Sequence, residues 1–182
     1  MLTTAKKTRP WYGLVHLALY QTTWVIALWG ASVGLTWPAV VTAAGTLALH
    51  LSLSSHLKLR ILRLFAATCL GVVLDSVLIA SGVITFPTTT LLATFLPPLW
   101  MIVLWPTFAA LFDDIMRWLL PHMTWAMLAG AVAGPLAYVG GQSFGALELP
   151  LNWWISFLSI GVAWSVAMAL LLLLWRSPGA QS

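Results

Sequence analysis

The sequence predicts an all-α integral membrane bundle of six transmembrane helices, with residues 1–182 forming a single domain. Three observations lead to this fold class. The chain is 61% hydrophobic and 7% charged, whereas about a quarter of the residues in ordinary soluble domains are charged. Its apolar runs are long enough to cross a hydrocarbon core of about 30 Å, which takes about 20 helical residues. Its basic residues fall in alternate loops, as in polytopic membrane proteins.

The predicted spans follow the apolar runs. In chain order they cover about 11–33, 38–57, 61–84, 92–119, 123–141 and 151–175. Most prolines stand between these runs or at their ends, where a missing N–H costs little, and Pro106 and Pro135 lie inside a run. The basic N-terminal segment continues into a long apolar run without a cleavage site of small residues, so we interpret the first span as a retained helix.

The distribution of charge predicts the orientation of the bundle. With both termini cytoplasmic, all eight Lys and Arg residues face the cytoplasm, which satisfies the positive-inside rule. They are Lys6, Lys7, Arg9, Lys58, Arg60, Arg63, Arg117 and Arg176. The net charge of +4 is therefore explained by the basic cytoplasmic loops, and no nucleic-acid partner is expected.

Asp75 is the most informative single residue. At 1.5 Å per residue it lies near the middle of the third span, at the depth of Gln21 in the first. A carboxylate at the bilayer centre costs about 2.5–3.5 kcal/mol on insertion scales, so it should face the bundle interior. Two interpretations stay open. Asp75 couples protons or cations to a function, or it is a hydrogen-bonded clamp between helices, with Ser76, Gln21 or His50 as a partner.

The fifth span contains GAVAGPLAY, in which Gly130 and Gly134 form a GxxxG face that permits close helix packing. Pro135 follows at once and frees the carbonyl of Ala131, which predicts a kink. Pro106 predicts a second kink in the fourth span. Broken helices at the midplane build binding sites in many transporters, but glycine and proline are also ordinary in packed membrane helices. Both interpretations remain open.

The other polar residues give weaker signals. His16 and His50 are predicted to be packing residues, with proton relay as the alternative. Asp113 and Asp114 are interpreted as part of a salt-bridged surface, because Asp113 and Arg117 are four residues apart and the basic loop with Arg60 and Arg63 lies on the same side. The chain has one cysteine and no metal-ligand spacing such as HExxH. The sequence therefore predicts neither a metal site nor a cofactor.

Four segments together resemble a known family. They are YQTTW, GVVLDSVLIASGVITFP, PPLWMIVLWPTFA and AGPLAYVGGQSFGA, and they occur in this order over nearly the whole chain. This pattern resembles the small bacterial membrane proteins grouped as domain of unknown function 2878. The resemblance implies a multi-pass protein of the bacterial inner membrane and no particular reaction. It also implies which positions matter: Gln21, Trp24, Asp75, Trp105, Gly134, Pro135, Tyr138 and Gly145.

Three functions are consistent with these residues. The leading hypothesis is the binding or transport of a small or lipid-like molecule at a midplane site of Asp75, Gln21, Trp24, Pro135 and Tyr138. The alternative is a non-catalytic scaffold or accessory subunit that docks a membrane-protein partner, or a second copy of the chain, through the GxxxG face. An intramembrane lipid enzyme is the third hypothesis, disfavoured because no nucleophile stands beside a base in the sequence and no acids are paired at depth.

Overall fold

The computed structural model describes residues 10–54, 56–87 and 95–176. Within these ranges the architecture is helical, which confirms the predicted all-α class. A single pair of backbone hydrogen bonds, between Thr85 and Glu148, joins two connecting segments within the described ranges. The helices are α1 (Pro10–Ser32), α2 (Trp37–Ser52), α3 (Leu57–Ala80), α4 (Leu99–Ile102), α5 (Leu104–Ala110), α6 (Met123–Ser143) and α7 (Trp153–Arg176).

Four of these helices are long and apolar enough to cross a membrane: α1, α3, α6 and α7. By contrast, α2 has 16 residues, which at 1.5 Å per residue cover about 24 Å and fall short of a hydrocarbon core of about 30 Å. The sequence predicted six such helices. Within the described residues, length and composition support four.

The predicted fourth span, 92–119, is not one helix. Its residues 92–94 lie outside the described ranges, and the rest divides into α4, α5 and two 3-10 turns at Leu111–Asp113 and Arg117–Leu119. Pro106 gives the physical reason for the break. Its ring excludes the carbonyl four residues earlier from helical bonding, and that residue is Ile102, where α4 ends. Pro106 therefore interrupts the predicted span at Val103, between α4 and α5.

Among the helix ends that differ from prediction, two are set by glycines. Helix α3 ends at Ala80, four residues before the predicted end, and α6 continues to Ser143, two residues past it. Gly82 and Gly145 follow these ends with φ of 70° and 75°. This left-handed conformation costs glycine little and commonly terminates helices. The turn predicted after the fifth span therefore centres on Gly145.

The helices pack as two antiparallel hairpins, α1 with α2 and α6 with α7, while α3 and α5 lie between them. Arg60, Arg63 and Arg176 lie together at one end of the bundle, through contacts with Asp113, the Trp175 carbonyl and the Leu120 carbonyl respectively. We call this the basic end. The bridge between Thr85 and Glu148 lies at the opposite end. Two buried apolar clusters fill the halves, and Leu74 and Trp164 contact both.

The glycines of α6 lie against α7. A Cβ at Gly130 would stand 2.7 Å from the Trp164 carbonyl oxygen, and one at Gly134 would overlap the Trp164 side chain. On the facing helix, a Cβ at Gly161 would stand 2.9 Å from the Ala131 carbonyl oxygen. That is the carbonyl freed by Pro135. The small residues on both helices therefore let the two backbones approach closely, and the freed carbonyl faces α7.

Candidate ligand-binding site

The Asp75 side chain is fully buried at the junction of α3, α5 and α6, with 0% exposure. Its Oδ2 accepts a hydrogen bond from Trp105 Nε1 at 2.7 Å, and its Oδ1 accepts one from the Tyr138 hydroxyl. A buried charge is tolerated when hydrogen bonds compensate it. These two donors compensate Asp75 without a Lys or Arg. The hydrogen-bonded clamp therefore exists, but its partners are Trp105 and Tyr138, not Ser76, Gln21 or His50.

The position of Trp105 depends on a glycine and a second tryptophan. The Trp105 ring lies over Gly71 of α3, where an added Cβ would overlap the ring. On its other side the ring stacks on Trp164, with centroids 4.9 Å apart and an interplanar angle of 16°. Since the ring is held between two helices, its N–H is directed at Asp75. Gly71 was not identified from the sequence, because a lone glycine in an apolar run carries no sign of what approaches it.

A small cavity of about 60 Å³ adjoins Asp75. Trp105 and Tyr138 line it, and its other walls are apolar or aromatic. Ordered water needs at least about 10–15 Å³ measured in this way, so the cavity accommodates one small polar group. It does not accommodate a complete lipid-like molecule.

A larger groove of about 400 Å³ lies between α1 and α6. Exposed side chains on its rim, including Gln21 and Leu136, show that it opens on the flank of the bundle. Five residues line both the groove and the Asp75 cavity: Tyr20, Trp24, Phe108, Ala137 and Trp164. The two spaces are therefore neighbours, separated by aromatic side chains.

The structure brings together part of the predicted site. Asp75, Tyr138 and Trp24 line the cavity. Gln21 is exposed and lines the groove, so it lies apart from Asp75. Pro135 is buried toward α7, where a Cβ on Gly161 would stand 3.6 Å from its Cγ. The segment at Pro135 thus packs against α7, and Tyr138, three positions later, reaches the site.

A second polar cluster lies at the basic end. His16 Nδ1 is 2.5 Å from Asp114 Oδ2, and His50 Nε2 is 3.1 Å from Asp113 Oδ2. Arg60 Nε also lies 3.5 Å from Asp113. The predicted salt bridge exists at Asp113 through Arg60, but the two acids are only 11% and 9% exposed, and each also contacts a histidine. Sequence spacing gave no signal, since the partners are 63 and 98 residues apart.

Helices of membrane-spanning length and a buried carboxylate beside an apolar cavity define the class: a compact helical protein compatible with a membrane, with an interior polar site. Residues 13–170 match the model of a family described as a protein of unknown function, DUF2878. The chain belongs to this family, as the sequence resemblance indicated. A search of curated proteins and a search of solved structures each found no match.

Proposed function

We propose that this chain binds a lipid-like molecule whose apolar part occupies the groove between α1 and α6 and whose polar group enters the Asp75 cavity. The observation that supports this most is the juxtaposition of the two spaces along shared side chains. A groove of about 400 Å³ is within the usual range of ligand sites, about 300–1,000 Å³. The cavity supplies the buried polar contact that fixes a ligand's orientation.

The chemistry of Asp75 selects the polar group. Trp105 Nε1 is a donor only, and Tyr138 donates its hydroxyl hydrogen, so both carboxylate oxygens act as acceptors. Their remaining lone pairs accept from a ligand amine or hydroxyl. A ligand carboxylate or phosphate would place like charges together in a buried space, which is unfavourable. We therefore infer a long-chain amine or alcohol in preference to a fatty acid.

The scaffold hypothesis has less support. It required the GxxxG face of Gly130 and Gly134 to be available to a partner. Both glycines are buried, with Trp164 of α7 directly against them. The glycine face is therefore already covered by α7 of the same chain.

The test is photolabelling of purified protein with a long-chain alkyl amine that carries a diazirine. We expect saturable labelling, competed by long-chain amines and alcohols more strongly than by a fatty acid. Asp75→Asn keeps an acceptor for Trp105 and a polar contact for Tyr138, so it should fold. Because charge-assisted hydrogen bonds are about twice as strong as neutral ones, we expect about tenfold weaker competition, equivalent to about 1.4 kcal/mol.

The matched control is Glu148→Gln, the same change at an exposed carboxyl of the opposite end. This variant should label like the unmodified protein. Equal labelling of Asp75→Asn and Glu148→Gln would refute the role of Asp75. Labelling that does not saturate would refute the binding site itself. If a stoichiometric membrane-protein partner were then captured, the scaffold hypothesis would be favoured.

We also propose that the protein lies in the bacterial cytoplasmic membrane with six crossings and both termini cytoplasmic. The support is that α2 packs against α1 and α5 packs against α3, so both shorter elements lie beside helices long enough to span. Arg60, Arg63 and Arg176 share one end, as the positive-inside rule requires of cytoplasmic loops.

Cysteine accessibility tests this orientation. In a Cys69→Ser background, a membrane-impermeant maleimide should label Ser143→Cys, near the opposite end, in intact cells. It should label His56→Cys, beside the basic end, after permeabilisation. Both native side chains are on exposed positions. The reverse pattern, or labelling of both in intact cells, would contradict the proposed topology.

A further inference from the structure

We propose that His16, His50 and Asp114 bind a divalent transition-metal ion at the basic end of the bundle. These residues come from α1, α2 and the turn that follows α5. One ring nitrogen of each histidine and one carboxylate oxygen of Asp114 lie within 4.8 Å of one another. The proposal goes beyond ligand binding at Asp75 and does not depend on it.

Unpartnered buried atoms provide the second, independent observation. His16 and His50 are 3% and 0% exposed. In each ring, one nitrogen contacts a carboxylate; the other, Nε2 of His16 or Nδ1 of His50, is buried without a hydrogen-bond partner among the described residues. Buried polar atoms are nearly always satisfied in folded proteins. A metal ion at Nδ1 of His50 satisfies that lone pair directly.

Asp113 orients one of the proposed ligands. When its Oδ2 accepts a hydrogen bond from His50 Nε2–H, the lone pair of His50 is left on Nδ1. Asp113 is itself held by Trp175 Nε1, 2.8 Å from Oδ1, and by Arg60. A carboxylate that fixes the tautomer of a ligating histidine is the usual outer shell of a protein metal site. Asp113 is thus a positioning residue.

The ligand set favours Zn²⁺ or Fe²⁺. Imidazole nitrogen suits these ions, whereas Mg²⁺ and Ca²⁺ prefer all-oxygen sites. Bonds of about 2.0–2.2 Å in tetrahedral geometry place ligand atoms about 3.3 Å apart. With His16 ligating through Nδ1, this atom and Asp114 Oδ2, now 2.5 Å apart, must separate to about that distance, and the proton between them leaves Nδ1 on binding. Three protein ligands leave one coordination position open, as in catalytic sites.

The test uses full-length protein without a histidine tag, stripped with a chelator and reconstituted separately with Zn²⁺ and with Co²⁺. We expect about one bound ion per chain by elemental analysis, and a tetrahedral Co²⁺ absorption spectrum. His50→Ala and Asp114→Asn should lose the bound ion. Asp113→Asn should weaken affinity by about 10–100-fold, the usual effect of an outer-shell change.

The matched control is His122→Ala, an exposed histidine at the same end, which should bind metal like the unmodified protein. Asp114→Asn preserves shape and serves as the deciding variant if His50→Ala does not fold. Failure of the unmodified protein to retain Zn²⁺ or Co²⁺ would overturn the proposal. So would unmodified stoichiometry in Asp114→Asn, because that ion would be bound elsewhere. Neither result would affect photolabelling at Asp75.

Discussion

Replacing Asp75 with alanine is expected to destabilise the protein by about 2–6 kcal/mol. The substitution removes the acceptor for both Trp105 Nε1 and the Tyr138 hydroxyl. Each buried donor left unpaired costs about 1–3 kcal/mol, and the substitution affects two of them. The measurement is the free energy of unfolding in detergent micelles, followed by circular dichroism.

Two variants separate this effect from a change in charge. Glu148→Ala removes an exposed carboxylate and should stay within about 0.5 kcal/mol of the unmodified protein. Asp75→Asn should fall between Asp75→Ala and the unmodified protein, because the amide oxygen still accepts from Trp105. If Asp75→Ala proved as stable as Glu148→Ala, the hydrogen-bonded clamp would have no energetic role.

The second large effect is expected from Gly71→Ala, which adds one methyl group. A Cβ at this position would overlap the Trp105 ring, which has Trp164 stacked on its other face. The ring therefore must shift or the helices must separate. Overpacking of this kind costs about 1–3 kcal/mol. A shifted ring also withdraws its N–H from Asp75, which adds about 1–3 kcal/mol.

Gly45→Ala is the matched control for this prediction. Gly45 lies inside α2, and a Cβ there would meet nothing within 4 Å. Because alanine is a better helix former, this variant should be more stable by about 0.5–1 kcal/mol. Thermal unfolding should therefore shift in opposite directions for the two variants. Equal shifts would show that the Trp105 ring is not held against Gly71.

The sequence predicted those structural features that depend on a single segment of the chain. Apolar runs and proline positions predicted the all-helical class and approximate helix limits, since both depend on local composition. The exceptions were also local in cause. Pro106 ended α4 at Ile102, and the left-handed glycines after α3 and α6 set limits that hydropathy cannot resolve.

The partners of buried polar groups were beyond prediction, because they depend on which helix faces meet. Asp75 was singled out correctly as an interior residue, yet Trp105 and Tyr138 lie 30 and 63 residues away. The acids of the basic end were interpreted as partners of arginines, and the pair of Asp113 with Arg60 is present. Their histidine partners come from α1 and α2, and only the folded arrangement brings them together.

The most direct test of the central claim is the position of the cross-link formed by the photoreactive long-chain amine, mapped by mass spectrometry. The account predicts adducts on groove residues, namely Ala133 and the three that also line the cavity, Tyr20, Trp24 and Ala137. Long-chain amines should reduce these adducts in competition. Adducts concentrated instead on the outward faces of α3 and α7, at exposed residues such as Phe65 and Val162, would contradict a binding site between α1 and α6.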